Sequence, residues 1–129
     1  MSSWSADIDL PPSVRSIPLA RHLVVGLLRA WGAPHDRDDA ALLVTELVAN
    51  VVDHVGGEAS LTLQVELSED WLRIAVADGS SVRPVARELD TGSPRGRGLR
   101  LVQAIVDRWG CEDHQAGKRV WLELAPPRT

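Results

Sequence analysis

Glu46, Asn50, Asp53 and His54 recur at a spacing that places them together on one face of a helix at 3.6 residues per turn. Around them stand Leu42, Leu43, Val44, Leu47, Val48, Ala49, Val51, Val52 and Val55. A helix apolar nearly all round is buried, so its polar stripe must meet solvent, a partner group or a cavity. Burying a polar group without a partner costs about 2–7 kcal/mol. The stripe holds Glu, Asn, Asp and His, with no Lys or Arg. An amide oxygen suits Mg²⁺, which takes oxygen ligands and keeps several waters while binding substrate phosphates. A glutamate one turn away is placed to take a proton from a nucleophile. The same residues also read as the solvated face of a surface helix, and the helix alone leaves both readings open.

Two further segments carry chemistry. Ile74-Ala75-Val76-Ala77 runs into Asp78-Gly79-Ser80. A carboxylate at a strand end accepts a hydrogen bond from an exocyclic amine, and the following glycine lets the backbone approach a ligand closely. Asp-Gly is also a common plain turn. Gly96-Arg97-Gly98-Leu99-Arg100 opens directly onto a helical pattern. Its backbone N–H groups and the positive end of the helix dipole make an anion site. The segment fits neither the dinucleotide-binding glycine fingerprint nor the Walker loop.

The remaining pattern supplies elements to hold these groups. Ala6–Leu10 predicts a short strand that stops at Pro11-Pro12. A helix follows, with Ser16 as its N-cap, Leu19, Leu23, Leu27 and Ala30 at helical spacing, and Gly32 and Pro34 at its end. The polar-striped helix starts near Asp36–Asp39 and runs to about Val55, before Gly56-Gly57. Leu61, Leu63, Val65 and Leu67 alternate with polar residues, and Leu72, Ile74 and Val76 alternate again, so the two segments form an antiparallel hairpin. Residues 78–97 read as a long functional loop. Leu99, Val102, Val106 and Trp109 predict a helix ending at Gly110, and two short strands follow near 111–114 and 119–124. Residues 1–6 and 126–129 read as loose ends. The order β, α, α, β, β, loop, α, β, β predicts a two-layer α/β (α+β) sandwich. Its sheet is mixed but mostly antiparallel, with the helices on one face.

The chain has 129 residues, 44% hydrophobic and 25% charged, which suits a single globular domain (core about 14–124). Its net charge of −4 argues against a general nucleic-acid binder. A lone cysteine, Cys111, makes no internal disulfide and fits a reducing compartment. No basic start followed by an apolar run marks a signal peptide. The apolar stretch Leu19–Trp31 is broken by Arg21, His22 and Arg29, so a cytoplasmic protein is expected. His22, His35, His54 and His114 have no metal-ligand spacing.

Taken in order, Thr45–Val55 (TELVANVVDHV), Ile74–Ser80 (IAVADGS) and Gly96–Gly110 (GRGLRLVQAIVDRWG) resemble the N, G1 and G2 boxes of the histidine-kinase-like ATPase superfamily. Gly117–Leu124 (GKRVWLEL) resembles the last strand of its small single-domain branch, the anti-sigma-factor serine/threonine kinases. The resemblance implies the Bergerat-type ATP-binding fold, with ATP and Mg²⁺ as ligands. It implies Asn50 on Mg²⁺, Glu46 as general base and Asp78 on the adenine amine, with Gly79 and Ser80 giving close packing. Gly96, Gly98, Leu99 and Arg100 would hold phosphates with their N–H groups. Arg95 and Arg97 would lie beside them, or be solvated loop charges. His54 matches a histidine frequent in the family, and residues 81–95 match the lid. The sequence departs from the pattern at Asp53, where a basic residue is common, at Ser80-Ser81, which lack a second glycine, and at Arg119, where a threonine backing the adenine is common.

Two functions follow from the resemblance. One is a kinase that moves the γ-phosphoryl of ATP to a Ser or Thr of a STAS-type anti-sigma-factor antagonist and also binds a sigma factor. The other is a sequestering anti-sigma module with little or no use of ATP. A homodimer is the implied assembly. A sensor histidine kinase is not expected, because the 129 residues leave no room for a dimerising phosphoacceptor helix pair.

Overall fold

The computed structural model describes residues 3–55, 60–78, 102–114 and 117–127, with backbone only at 53–55 and 114. The strands are β1 (Ser3–Leu10), β2 (Leu61–Ser68), β3 (Trp71–Asp78), β4 (Arg108–His114) and β5 (Gly117–Leu124). The helices are α1 (Ser16–Trp31) and α2 (Arg37–Val55), and residues 102–105 are also helical. One five-stranded sheet runs in the order β1-β2-β3-β5-β4. Every pairing among the described strands is antiparallel, the limit of the mostly antiparallel sheet expected. β1 begins at Ser3 rather than Ala6, so the residues expected as a loose end pair with β2.

The core lies between the helices and one face of the sheet. β2 contributes Leu61, Leu63, Val65 and Leu67, β3 contributes Leu72, Ile74 and Val76, and β5 contributes Leu122 and Leu124. α1 packs on α2, while α2 lies against β3. Each fully buried Val, Leu or Ile contributes about 1.5–3 kcal/mol relative to exposure.

Helix α1 buries a different stripe from the expected one. Ser16, Ala20, Val24 and Leu28 face inward at i, i+4 spacing, whereas Leu19 and Ala30 are exposed and Leu23 and Leu27 lie on the flank. The inner line joins the core, and Leu23 and Leu27 pack partly buried against it. Ser16 is not the N-cap. Arg15 holds that position with no side-chain cap, and the Ser16 hydroxyl instead donates to the Pro11 carbonyl. At the other end, Gly32 adopts φ 65°, and the Ala33 N–H reaches the Leu28 carbonyl at 2.9 Å. This left-handed residue closes the helix as expected. Asp36 caps α2, its Oδ1 accepting the Asp39 N–H at 2.9 Å.

Glu69 (φ 53°) and Asp70 (φ 64°) form the two-residue turn of the β2–β3 hairpin. Both positions take a left-handed backbone, as a type I′ turn requires.

The third helix is shorter at its C-terminal end than predicted. The Val106 N–H still donates to the Val102 carbonyl at 2.9 Å, but the Asp107 N–H donates to Glu123 of β5 at 3.0 Å. The Asp107 carboxylate accepts the Ala125 N–H at 2.7 Å. From Arg108 onward the chain is strand. Gly110 therefore does not stop a helix. It sits opposite Trp121, and a Cβ there would meet the indole at 2.8 Å.

Candidate functional site

Strand β3 is central, and its outward alanines are covered as well as its inward residues. Ala75 and Ala77 are buried although they face away from the helices. The outer face above them carries an ion-pair lattice. Arg73 reaches Glu112 at 3.4 Å and Glu123 at 3.5 Å, and its guanidinium lies 4.7 Å from the Trp121 ring centroid. Arg119 donates to Glu112 at 2.8 Å through Nε and to Gln64 at 3.2 Å. Arg108 lies 4.3 Å from the Trp71 ring centroid.

Asp78 ends β3 on the opposite face, the one covered by helices. The alternation Leu72, Ile74, Val76, Asp78 carries it there, and it is 5% exposed, with Oδ2 buried. It stands in register with Leu61 of β2 and Lys118 of β5. Lys118, in turn, stands opposite the exposed Asp113 of β4.

Helix α2 supplies the other half of the site. Ala40, Leu43, Val44, Leu47, Val48, Ala49 and Val51 are buried, so the helix is enclosed as its sequence requires. Asn50 is 4% exposed. The solvated-face reading of the stripe therefore fails at Asn50. Its Oδ1 is buried with no hydrogen-bond partner among the described residues, and so is Thr45 Oγ1. Glu46, one turn before Asn50, is half-buried with its Oε2 out of water. An amide oxygen kept from water without a partner is rare and calls for a physical reason. A hard cation takes such an oxygen as ligand, so Asn50 fits Mg²⁺. Among the described residues no three His, Cys, Asp or Glu side chains gather as a metal cluster. An Mg²⁺ ion held mainly by phosphates and waters needs none.

The structure thus places Glu46 and Asn50 on α2 and Asp78 on β3, elements in contact across the two layers. Asp53 and His54 lie in the last turn of α2, their side chains outside the described residues. Gly79, Ser80, Ser81, Arg95, Gly96, Arg97, Gly98, Leu99 and Arg100, and with them the lid and the glycine loop, also lie outside the described residues. Arg119 does not share the face of Asp78, because its guanidinium joins the outer lattice. The residue opposite Asp78 is Lys118, which sequence reading passed over. Alternation with Val120, Leu122 and Leu124 was its only signal.

Among the described residues no helix is long and apolar enough to cross a membrane. A comparison with curated proteins returned no match. A family model described as the histidine kinase-like ATPase domain matches residues 10–124, from the end of β1 to the end of β5. With that span of the chain matched, this protein belongs to the histidine kinase-like ATPase domain family.

Proposed function

We propose that this domain binds Mg-ATP between α2 and the end of β3, and passes the γ-phosphoryl to a Ser or Thr of a STAS-type anti-sigma-factor antagonist. On this reading it also binds a sigma factor, acts in the cytoplasm and works as a homodimer. The observation that carries it is the buried Oδ1 of Asn50, without a hydrogen-bond partner among the described residues, on an enclosed helix. Family membership supports the nucleotide, and the likeness of the last strand to that of the anti-sigma-factor kinases supports the branch.

Each residue has a task in this scheme. Asn50 holds Mg²⁺, which when bound neutralises charge on the phosphates. Asp78 accepts a hydrogen bond from the adenine amine. The substrate hydroxyl oxygen attacks the γ-phosphorus, the bond to the β–γ bridging oxygen breaks, and the hydroxyl proton passes to Glu46. ADP leaves, and the hydroxyl is now a phosphoester. Catalysis of this kind rests on positioning and charge stabilisation.

Calorimetry with ATP, with and without Mg²⁺, tests the reading, and Mg²⁺-dependent binding is the expected result. No binding at millimolar ATP would move the assignment to the sequestering module. Glu46→Ala should then bind ATP as the wild type does, yet fail to phosphorylate an antagonist. Wild-type transfer by that variant removes Glu46 from the chemistry.

A further inference from the structure

Lys118 is the only lysine in the chain, and it is 2% exposed. A lysine is almost never fully buried unless it is paired. Its place in the sheet explains how this one is accommodated. Asp78↔Lys118 is a directly opposed pair of β3 and β5, and Asp113↔Lys118 is the opposed pair of β4 and β5. Opposed residues share a face, with Cβ atoms about 4.5–5.5 Å apart. Three adjacent strands therefore line up acid, lysine and acid on the face that the helices cover. The outer acid, Asp113, is exposed, whereas the inner acid, Asp78, is buried.

We infer that Lys118 is a positioning residue for the base-reading carboxylate. Its ammonium, flanked by Asp78 and Asp113, keeps Asp78 charged and fixed at the end of β3, so that Asp78 reads the amine of the base. The inference rests on the proposed ATP site. The physical basis is desolvation. A carboxylate enclosed to this degree is costly unless a positive group stands beside it. Lys118 lies in the only register position that faces Asp78 from β5. Arg119, its neighbour in sequence, is turned away to Glu112 and Gln64. Without Lys118 the acid loses its charged neighbour, and its preference for a donor on the ligand weakens. Affinity for the phosphates does not depend on that pair.

The test compares ATP with purine riboside triphosphate, which lacks the 6-amino group, on the whole chain by calorimetry. The wild type should prefer ATP about tenfold or more, the size of one hydrogen bond to a charged acceptor. In Lys118→Met the preference should fall to about threefold or less, and Lys118→Arg should restore most of it. A Met variant that weakens both nucleotides equally, or keeps the full preference, overturns the inference and leaves the ATP site standing. A wild type that binds neither nucleotide, or both alike, overturns the reading of Asp78 and this inference with it. If the Met variant does not fold, isotope-labelled lysine in the wild type decides, because a single lysine gives a single set of side-chain resonances. ATP should shift the Lys118 ε-ammonium signal, and inorganic triphosphate should leave it in place. A signal unmoved at saturating ATP refutes the role.

Discussion

Asn50→Ala separates the needs of the fold from those of the ligand. In the folded chain without nucleotide, the Asn50 Oδ1 is buried without a hydrogen-bond partner among the described residues. Such an atom costs about 1–3 kcal/mol, and alanine removes it. Truncation also leaves a small void, whose cost is set by about 24 cal/mol for each Å³ that does not collapse. The two effects oppose each other, so the variant should unfold within about 1 kcal/mol of the wild type. The ligand term does not cancel. A ligand at a hundred times its dissociation constant stabilises the native state by about 2.7 kcal/mol. For a domain of this size that raises the melting temperature by roughly 10 °C. Thermal denaturation followed by circular dichroism, with and without Mg-ATP, reads both quantities. The wild type should melt higher with Mg-ATP, and Asn50→Ala should melt near the wild-type apo temperature in either buffer. A variant that loses several kcal/mol on its own while keeping the full nucleotide shift would show that Asn50 is a packing residue. That result would refute the metal-ligand argument.

Two further substitutions probe the sheet. Gly110→Ala puts a methyl group 2.8 Å from the Trp121 ring, so overpacking should cost about 1–3 kcal/mol in urea denaturation. A loss below about 0.5 kcal/mol would mean that the indole moves aside freely. Arg119→Ala breaks contacts on the face away from the helices and should leave ATP affinity within about twofold, at a stability cost of about 0–1 kcal/mol. A tenfold loss of ATP affinity in that variant would contradict the face assignment.

The sequence was most legible where one periodicity ran without competition. The alternation through Leu61–Leu67 and Leu72–Val76 fixes the hairpin, because a one-residue slip would turn every core leucine to solvent. The enclosed α2 was legible for the same reason, and with it Asn50 as a polar residue in an apolar setting. Failures came where two patterns overlapped. Val102, Val106 and Trp109 fit a helix, but Trp109 and Cys111 also alternate as a strand. Pairing with β5 decides between them from Arg108 onward. In α1, the leucines marked the right helix but the wrong line, because the buried line runs through Ser16, Ala20, Val24 and Leu28, only one of them a leucine. Asp53 and His54 fall in the last turn of α2 as expected, their side chains outside the described residues, and the glycine loop lies wholly outside them.

Lys118 and Arg119 show why adjacency in sequence misleads in a sheet. Both are basic and lie one position apart, yet they serve opposite faces. The family resemblance marks a departure at Arg119 and none at Lys118, both at the start of β5. Strand geometry divides them. Arg119 goes to an outer lattice that includes Glu112, Gln64 and Arg73, where screened contacts between polar side chains hold β2, β3, β4 and β5 in register. Lys118 goes inward, opposite the acid that the family resemblance assigns to the base. The same dipeptide thus ties the outer surface of the sheet to its interior. A shift of β5 by one residue would exchange the two roles, burying a guanidinium beside Asp78 and removing Arg119 from Glu112. The Glu112–Arg119 pair spans β4 and β5, and so favours the register that brings Lys118 opposite Asp113.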